Sequence, residues 1–234
     1  MRKTLGAVAA EPADFRMRLQ AVLERAASPS AAAEEPVLGP YLTISREAES
    51  GGAEIAKRVG ERMGWPVLDR ELVQGLAESL ELEPRLLELM DETRVGWFSE
   101  TLLNLFNSRL VLQDSYVALL SRVIALAAYD GPVIIVGRGA NLVLPPQSGL
   151  RVRVLAPRHL RQQALAAREG LDDRAAGGRL DEIDRSRREF VKRHFRCDPD
   201  DATCYDMVIN SVSFGLGGSA DLICRALELR GLAE

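Results

Sequence analysis

Two spacings of hydrophobic residues alternate along this chain. Short runs typical of strands lie at 42–44, 65–68, 133–136, 151–155 and 206–210. Between these runs, apolar side chains recur every three or four residues, as Ile55, Val59 and Met63 do, and this spacing predicts helices. Strands that alternate with helices indicate an α/β fold with a parallel sheet and right-handed crossovers.

The helical spacing is clearest over residues 116–129, where the turn at 130–132 ends it. Residues 97–112 are unusually apolar and indicate a core helix, with a substrate-capping insertion or an oligomer face as alternatives. We therefore expect a helical insertion over about residues 84–130, and a homodimer through the apolar helices at 97–120 stays open. Gly177 and Gly178 break the following helical pattern before a helix over 180–195.

The first 38 residues differ in composition from the rest of the chain. Ala, Pro, Glu and Ser dominate residues 26–40, a composition typical of a linker that buries little. Phe15, Leu19, Val22 and Leu23 could line one face of a short helix. The sequence therefore predicts a flexible tail over 1–38, with a short helix as an alternative, and a domain over 39–234.

Composition narrows the classes of function. Of the 234 residues, 47% are hydrophobic and 27% are charged, which is ordinary for a globular protein with a buried core. The net charge of −4 argues against a nucleic-acid partner, and no apolar run reaches the ~20 residues that a membrane span needs. The three cysteines show no framework spacing, so we expect reduced thiols in a cytoplasmic protein. His194, Cys197 and Cys204 lack a paired CxxC motif, and no metal site is expected.

The segment 41–64 combines a strand, a polar turn with glycines and the start of a helix. This order directs several backbone N–H groups and the positive end of a helix dipole to one place, which suits a phosphate. An ordinary connection between a strand and a helix is the alternative interpretation. The candidate phosphate-binding residues are Ser45, Ser50, Gly51, Gly52 and Ala53.

Polar residues also follow the other predicted strands. In parallel sheets, ligands bind at the carboxyl ends of the strands. The residues at these ends are Ser45-Arg46, Asp69, Gly137-Arg138-Gly139, Ala156-Pro157 and Asn210-Ser211. On the helix over 180–195, Asp184, Arg187 and Arg188 share one face at spacings of three and four.

Several segments, in this order and spacing, resemble the cytidylate kinase-like family of P-loop proteins over about residues 41–230. They are YLTISREAESGGAEIAKRVGERMGWPVLDRELV, VIIVGRGAN, LRVRVLAP, DRSRREF and YDMVINS. The resemblance implies a three-layer P-loop NTPase-like fold, in which a five-stranded parallel sheet of order 2-3-1-4-5 has helices on both faces. It also implies a helical substrate-binding region, an Arg-bearing lid at about 172–196, and ATP with Mg²⁺ as cofactors. The implied partner is a nucleotide or another small phosphorylated molecule.

The chain departs from the P-loop pattern GxxxxGK[ST] at the positions that carry chemistry. Gly52 stands at the lysine position and Ala53 at the position of the Mg²⁺-binding hydroxyl, while Arg46 replaces the first glycine. Residues 137–139 read GRG where cytidylate kinases have GRD, and Gly75 replaces an arginine that contacts the substrate phosphate. Three acids, Glu47, Glu49 and Glu54, also lie beside the presumed phosphate site.

Two functions are therefore carried forward. The first is transfer of the γ-phosphoryl group of ATP to a nucleoside monophosphate or another small acceptor, with arginines in place of the lysine. Its catalytic residues would be Arg46, Arg138, Arg187 and Arg188, and its substrate-binding residues Asp69, Arg138 and Asp184, with no protein metal ligand. The second is a non-catalytic nucleotide sensor or interaction protein that keeps the kinase fold. In either case, Gly177 and Gly178 are expected to act as the hinge of the lid.

Overall fold

The computed structural model describes residues 17, 38–71, 73, 75, 115–129 and 131–233. Five strands form one sheet in which every neighbouring pair is parallel. The order across the sheet is β2-β3-β1-β4-β5, which confirms the predicted order 2-3-1-4-5. The strands are β1 (Tyr41–Arg46), β2 (Val67–Leu68), β3 (Val133–Val136), β4 (Gly149–Leu155) and β5 (Met207–Asn210).

Helices connect the strands as the apolar spacing predicts. A short 3₁₀ helix, Ala202–Cys204, precedes β5. The α-helices are α1 (Gly52–Met63), α2 (Ser115–Tyr129), α3 (Ala140–Val143), α4 (Arg158–Glu169), α5 (Asp173–Phe195) and α6 (Ser211–Leu229).

The strands bury side chains on both faces of the sheet, so the fold has three layers. In β3, Val133 and Ile135 pack in one cluster with apolar residues of α2, α3 and the end of α5. The alternate residues Ile134 and Val136 pack in a second cluster with residues of α1 and α6. Because successive side chains of a strand point to opposite faces, a strand covered on both sides has to be apolar throughout, as VIIV is.

The predicted break at Gly177 and Gly178 is wrong, because both residues lie inside the continuous helix α5. A Cβ atom on Gly177 would lie 3.3 Å from the amide group of Gln162, so this glycine lets α5 pack closely against α4. The Asp172 side chain accepts a hydrogen bond from the Ala175 N–H and caps the helix before both glycines. Gly177 therefore serves helix packing, and α5 is continuous where a hinge was expected.

Helix α6 begins earlier than the apolar spacing suggests. It starts at Ser211 and not at about residue 219, and Gly215 interrupts its regular geometry with φ 65° and ψ 172°. The Asn210 side chain accepts a hydrogen bond from the Val212 N–H, which caps the helix directly after β5. Asn210 and Ser211 consequently belong to a strand-to-helix turn at the sheet edge.

Several expectations concern residues outside the described ranges. The tail over 1–38 is one of them, apart from residues 17 and 38. So is most of the helical insertion, of which the structure describes α2. The apolar segment 97–112, and the homodimer contacts that it could supply, lie outside these ranges as well. Among the described helices, none combines the length and the apolar character needed to cross a membrane.

Gly149 supplies a test of packing at the start of β4. A Cβ atom at this position would overlap the ring of the fully buried Tyr41. We expect Gly149→Ala to lower the free energy of unfolding by about 1–3 kcal/mol, measured by denaturant titration, because a tight core has no room for the methyl group. Gly178→Ala is the control: its Cβ would meet no atom within 4 Å, so it should raise stability by about 0.5–1 kcal/mol. Equal effects of the two changes would contradict this account.

Candidate functional site

The carboxyl ends of β1 and β3 open into one cavity, which α5 and the segment 199–205 cover from the side. Six arginines line this cavity, and Glu47 and Asp184 are the two carboxylates in its lining. The arginines are Arg46, Arg70, Arg138, Arg153, Arg187 and Arg188. The four arginines that the sequence suggested are thus brought together, and two more join them.

Arg46 ends β1 and extends across the turn that follows β3. Its guanidinium lies directly against the Cα of Gly137, where any side chain would overlap Nη1. Burial, with the positive charge of Arg187 as the next cause, lowers the pKa of Arg46 to about 10. Among the described residues, no carboxylate forms an ion pair with the Arg46 guanidinium. The cavity therefore holds a cation that its surroundings disfavour.

Arg187 projects from α5 into the same cavity. Its Nη1 donates a hydrogen bond to the backbone carbonyl of Arg46 at 3.2 Å, which ties the helix to the end of β1. Burial lowers the pKa of Arg187 below its ordinary value; the negative charge of Asp184 opposes this shift, and Arg70 adds to it. Two half-buried cations thus converge at the end of the central strand.

Arg138 lies in an unusual backbone turn. Gly137, Arg138 and Gly139 have φ angles of 84°, 53° and 70°, so three successive residues occupy the left-handed region. A non-glycine residue there carries strain, and such strain concentrates at functional sites. The Arg138 guanidinium lies 5.6 Å from the centre of the Phe190 ring, which holds it over α5. Its place between two glycines is the signal by which the sequence identified it.

The outer arginines have acidic partners. Arg153 Nη2 donates to Asp200 Oδ1 at 2.7 Å, and Arg188 Nε lies 3.5 Å from the other oxygen of that carboxylate. Sequence reasoning missed Arg70 and Arg153. The signal for Arg153 was its place in the alternating run of β4, and the signal for Arg70 was its position directly after the predicted end of β2.

Both carboxylates in the lining are engaged by Arg161 of α4, which is only 6% exposed. Arg161 Nη1 donates to Asp184 Oδ2 at 2.6 Å, and Arg161 Nε lies 3.3 Å from Glu47 Oε2. The sequence suggested that Asp184 pairs with Arg187 or Arg188 on its own helix. The recorded ion pair joins it instead to an arginine 23 residues away, because that face of α5 packs on α4.

The same acids fix the loop that follows β1. The Ala48 N–H donates to Asp184 Oδ1 at 2.9 Å, and the Ala48 carbonyl accepts from Arg161 Nη1 at 3.1 Å. Glu47 Oε2 also accepts a long hydrogen bond from the Ala156 N–H at 3.4 Å. A carboxylate of the chain itself therefore occupies a loop N–H of the kind that a P-loop offers to phosphate.

The turn into α1 has the predicted layout. Gly51 adopts a left-handed conformation with φ 79°, and α1 begins at Gly52. Ser50 Oγ donates to the Glu47 carbonyl at 2.9 Å, and the Leu216 side chain lies against Gly51. Ser50, Gly51, Gly52 and Ala53 do not line the arginine cavity, so anion binding at their N–H groups stays a prediction.

The other predicted positions also differ in whether they line the cavity. Ser45 lines the cavity and donates to Asn141 Oδ1 at 3.1 Å. Asp69 is exposed at the end of β2 and does not line the cavity, whereas Arg70 next to it does.

The donor set around the loop does not fit a protein-held Mg²⁺. Ala53 has no hydroxyl group, and the carboxylates of Glu47 and Asp184 are both bound to Arg161. Within the described residues, no group of three acids, histidines or cysteines is placed to hold a metal ion.

Arg161 supplies a direct test of this loop. We expect Arg161→Met to lower the free energy of unfolding by roughly 3 kcal/mol, because Glu47 and Asp184 would remain half-buried without their cation. The control is Arg158→Met on the same helix, where an exposed pair with Asp181 should contribute little to stability. Denaturant titration of the two variants measures the loss in free energy of unfolding. Equal losses would show that the buried cluster contributes no more to stability than the exposed pair.

Comparison with known proteins agrees with this architecture. The profile described as cytidylate kinase-like family matches residues 41–213. A cytidylate kinase from Archaeoglobus fulgidus is 25% identical over 205 residues, which cover 81% of this chain and 95% of that protein. A cytidylate kinase from Methanopyrus kandleri is 32% identical over 94 residues, which cover 36% of this chain and 49% of that protein.

A solved structure shares the fold. The crystal structure of an uncharacterized protein from Eubacterium ventriosum matches with a TM-score of 0.62 at 19% sequence identity, over 80% of this chain and 98% of that one. The family match spans most of the chain, including the loop after β1 and every arginine of the cavity. The protein belongs to the cytidylate kinase-like family.

Proposed function

We propose that this protein binds the phosphate group of a nucleoside monophosphate in the arginine cavity at the ends of β1 and β3. One observation carries the proposal: Arg46 and Arg187 are half-buried in the same cavity, and no described carboxylate forms an ion pair with either guanidinium. Buried cations are normally paired. A bound anion would supply the missing charge.

A phosphate suits this site better than a single carboxylate. Its three terminal oxygens can accept from two guanidinium groups at once, and such charge-assisted, bidentate bonds are strong in a site that excludes water. Arg46, Arg138 and Arg187 give the cavity lining the positive charge that a phosphate requires. The aromatic rings of Phe190 and Tyr205 line the same cavity and offer apolar surface to a base.

Cytidine monophosphate is the first ligand to test, since both curated relatives are named cytidylate kinases. Binding through arginines needs no metal ion, so we expect affinity to persist when Mg²⁺ is removed with a chelator. ATP, if it binds, would use the same cations or the turn at residues 50–53. The cytoplasm, where nucleotides are abundant and thiols stay reduced, is the compartment that this proposal expects.

Phosphoryl transfer from ATP is the second candidate function. The observation in its favour is that the four arginines suggested as catalytic all line one cavity. Phosphoryl transfer depends mainly on positioning and charge stabilisation, which guanidinium groups can supply. The loop after β1 favours the non-catalytic alternative, because it lacks the lysine and the hydroxyl and its Ala48 N–H is engaged by Asp184. Binding without turnover is therefore the function that the site supports best.

Replacing Arg46 separates stability from binding. A pKa lowered to about 10 means that the unfolded chain holds this proton more tightly, so the charge costs stability at every pH below that value. We expect Arg46→Met to raise the free energy of unfolding of the ligand-free protein by about 1–2 kcal/mol. The same change should weaken cytidine monophosphate binding by roughly tenfold or more, measured by calorimetry.

Arg185→Met is the matched control for this prediction. Arg185 is exposed on α5 and does not line the cavity, so both quantities should stay near the wild-type values. A variant at Arg46 that lost stability and kept its affinity would remove the basis of the proposal.

An assay of product formation distinguishes the two functions. The wild type and Arg138→Ala would be incubated with ATP, Mg²⁺ and each nucleoside monophosphate in turn, and diphosphate products quantified by chromatography. If the arginines act in transfer, Arg138→Ala should abolish turnover with little change in Tm, because a guanidinium at a strand end adds little to the core. Measurable binding with no wild-type turnover on any acceptor would decide for the sensor.

A further inference from the structure

Two cysteines lie in contact beside the arginine cavity. The Sγ atoms of Cys197 and Cys204 are 2.9 Å apart, and each residue is 8% exposed. This separation exceeds the length of a disulfide bond, about 2.05 Å, by less than one ångström. The folded chain therefore already holds two thiol sulfurs close to bonding distance.

We propose that Cys197 and Cys204 form a reversible intramolecular disulfide, a modification site that fixes one wall of the cavity. The oxidant is a small-molecule disulfide. One cysteine thiolate attacks it and releases the first small thiol, which leaves a mixed disulfide on the protein. The second cysteine then attacks the protein sulfur and releases the second small thiol, so two protein thiols are oxidised and one small disulfide is reduced.

The local fold supports this exchange in two ways. Cys197 directly follows Arg196, the C-cap of α5, and Cys204 ends the 3₁₀ helix, so regular structure fixes both backbone positions. The residues between them include Asp198, Asp200 and Asp201, which are exposed, so the pair lies under a short surface segment. An oxidant can therefore reach the sulfurs through local opening of this segment alone.

The bridged segment contributes to the cavity wall. Pro199 and Tyr205 line the cavity, and the Tyr205 hydroxyl donates to the Pro199 carbonyl at 2.9 Å. Asp200 lies between Arg153 and Arg188, 2.7 Å from Nη2 of the first and 3.5 Å from Nε of the second. A covalent bond between the two ends of this segment would hold Asp200 on these arginines.

The effect on ligand binding rests on the proposed function, whereas formation of the disulfide does not. With Asp200 fixed, Arg153 and Arg188 would be less able to turn toward a bound phosphate. We therefore expect the oxidised protein to bind cytidine monophosphate severalfold more weakly than the reduced protein. Unchanged affinity would remove this consequence and leave the modification site in place.

The experiment equilibrates the purified full chain with glutathione buffers of graded ratio, in the presence of EDTA. Protein samples are then unfolded and labelled with a maleimide. The reduced chain has three cysteines and should take three labels, and the oxidised chain should take one, at Cys224, with a mass loss of about 2 Da before labelling. The oxidised form should also melt roughly 5–10 °C higher, because a short loop is closed in the unfolded state.

Two variants serve as controls for which cysteines form the disulfide. Cys224→Ser should retain the oxidation and its Tm shift, while Cys204→Ser should lose both. The wild-type titration does not depend on either variant folding. Three labels after equilibration with oxidised glutathione, a stable glutathione adduct, or a disulfide between two chains would each overturn the proposal. So would one zinc ion per chain in the protein before EDTA treatment.

Discussion

One buried side chain, Arg161, determines the distribution of charge around the loop after β1. Its guanidinium lies 2.6 Å from Asp184, 3.1 Å from the Ala48 carbonyl and 3.3 Å from Glu47, and so joins α4, α5 and the loop. A guanidinium as fully buried as that of Arg161 is costly unless its charge is neutralised and its donors are bonded. Two carboxylates meet both needs here. Both are held by Arg161, and among the described residues neither forms an ion pair with an arginine of the cavity, although the negative charge of Asp184 favours the charged form of Arg187.

As a result, Arg46 and Arg187 have no ion-paired carboxylate among the described residues. Burial lowers the pKa of both, so keeping them charged makes the folded protein less stable. A bound anion would offset this loss of stability, because the attraction between opposite charges strengthens where water is excluded. The strained backbone at Arg138 belongs to the same pattern, in which a site is held ready at a cost in stability. On the proposed function, the stability that these charged arginines cost is recovered when an anion binds, and this recovery strengthens binding.

The alternation of strands and helices predicted a parallel sheet, and the family resemblance implied its order, but the site could be predicted only in part. Arg46 and Arg138 were recognisable because each lies at the end of an apolar strand run, and Arg138 also lies between two glycines. The pairing of Asp184 with Arg161 was not, since the register of α4 against α5 depends on packing that spacing does not encode. Gly177 was misread for a related reason: a glycine that admits a neighbouring helix and a glycine that bends a chain look alike in sequence.

The contacts of Ala48 bear on where an anion can bind. A phosphate at this part of the loop would have to displace Asp184 from the Ala48 N–H, and it would compete with that carboxylate for Arg161. The displaced carboxylate would then lie partly buried without its hydrogen-bond donors. This loss costs more free energy than an exposed hydrogen bond contributes. On the proposed function, an anion in the cavity would meet Arg46 and Arg187 without displacing a described carboxylate that is ion-paired to either guanidinium. This difference would favour side-chain cations over the backbone of the loop, so loss of the P-loop lysine would remove little from a site centred on arginines.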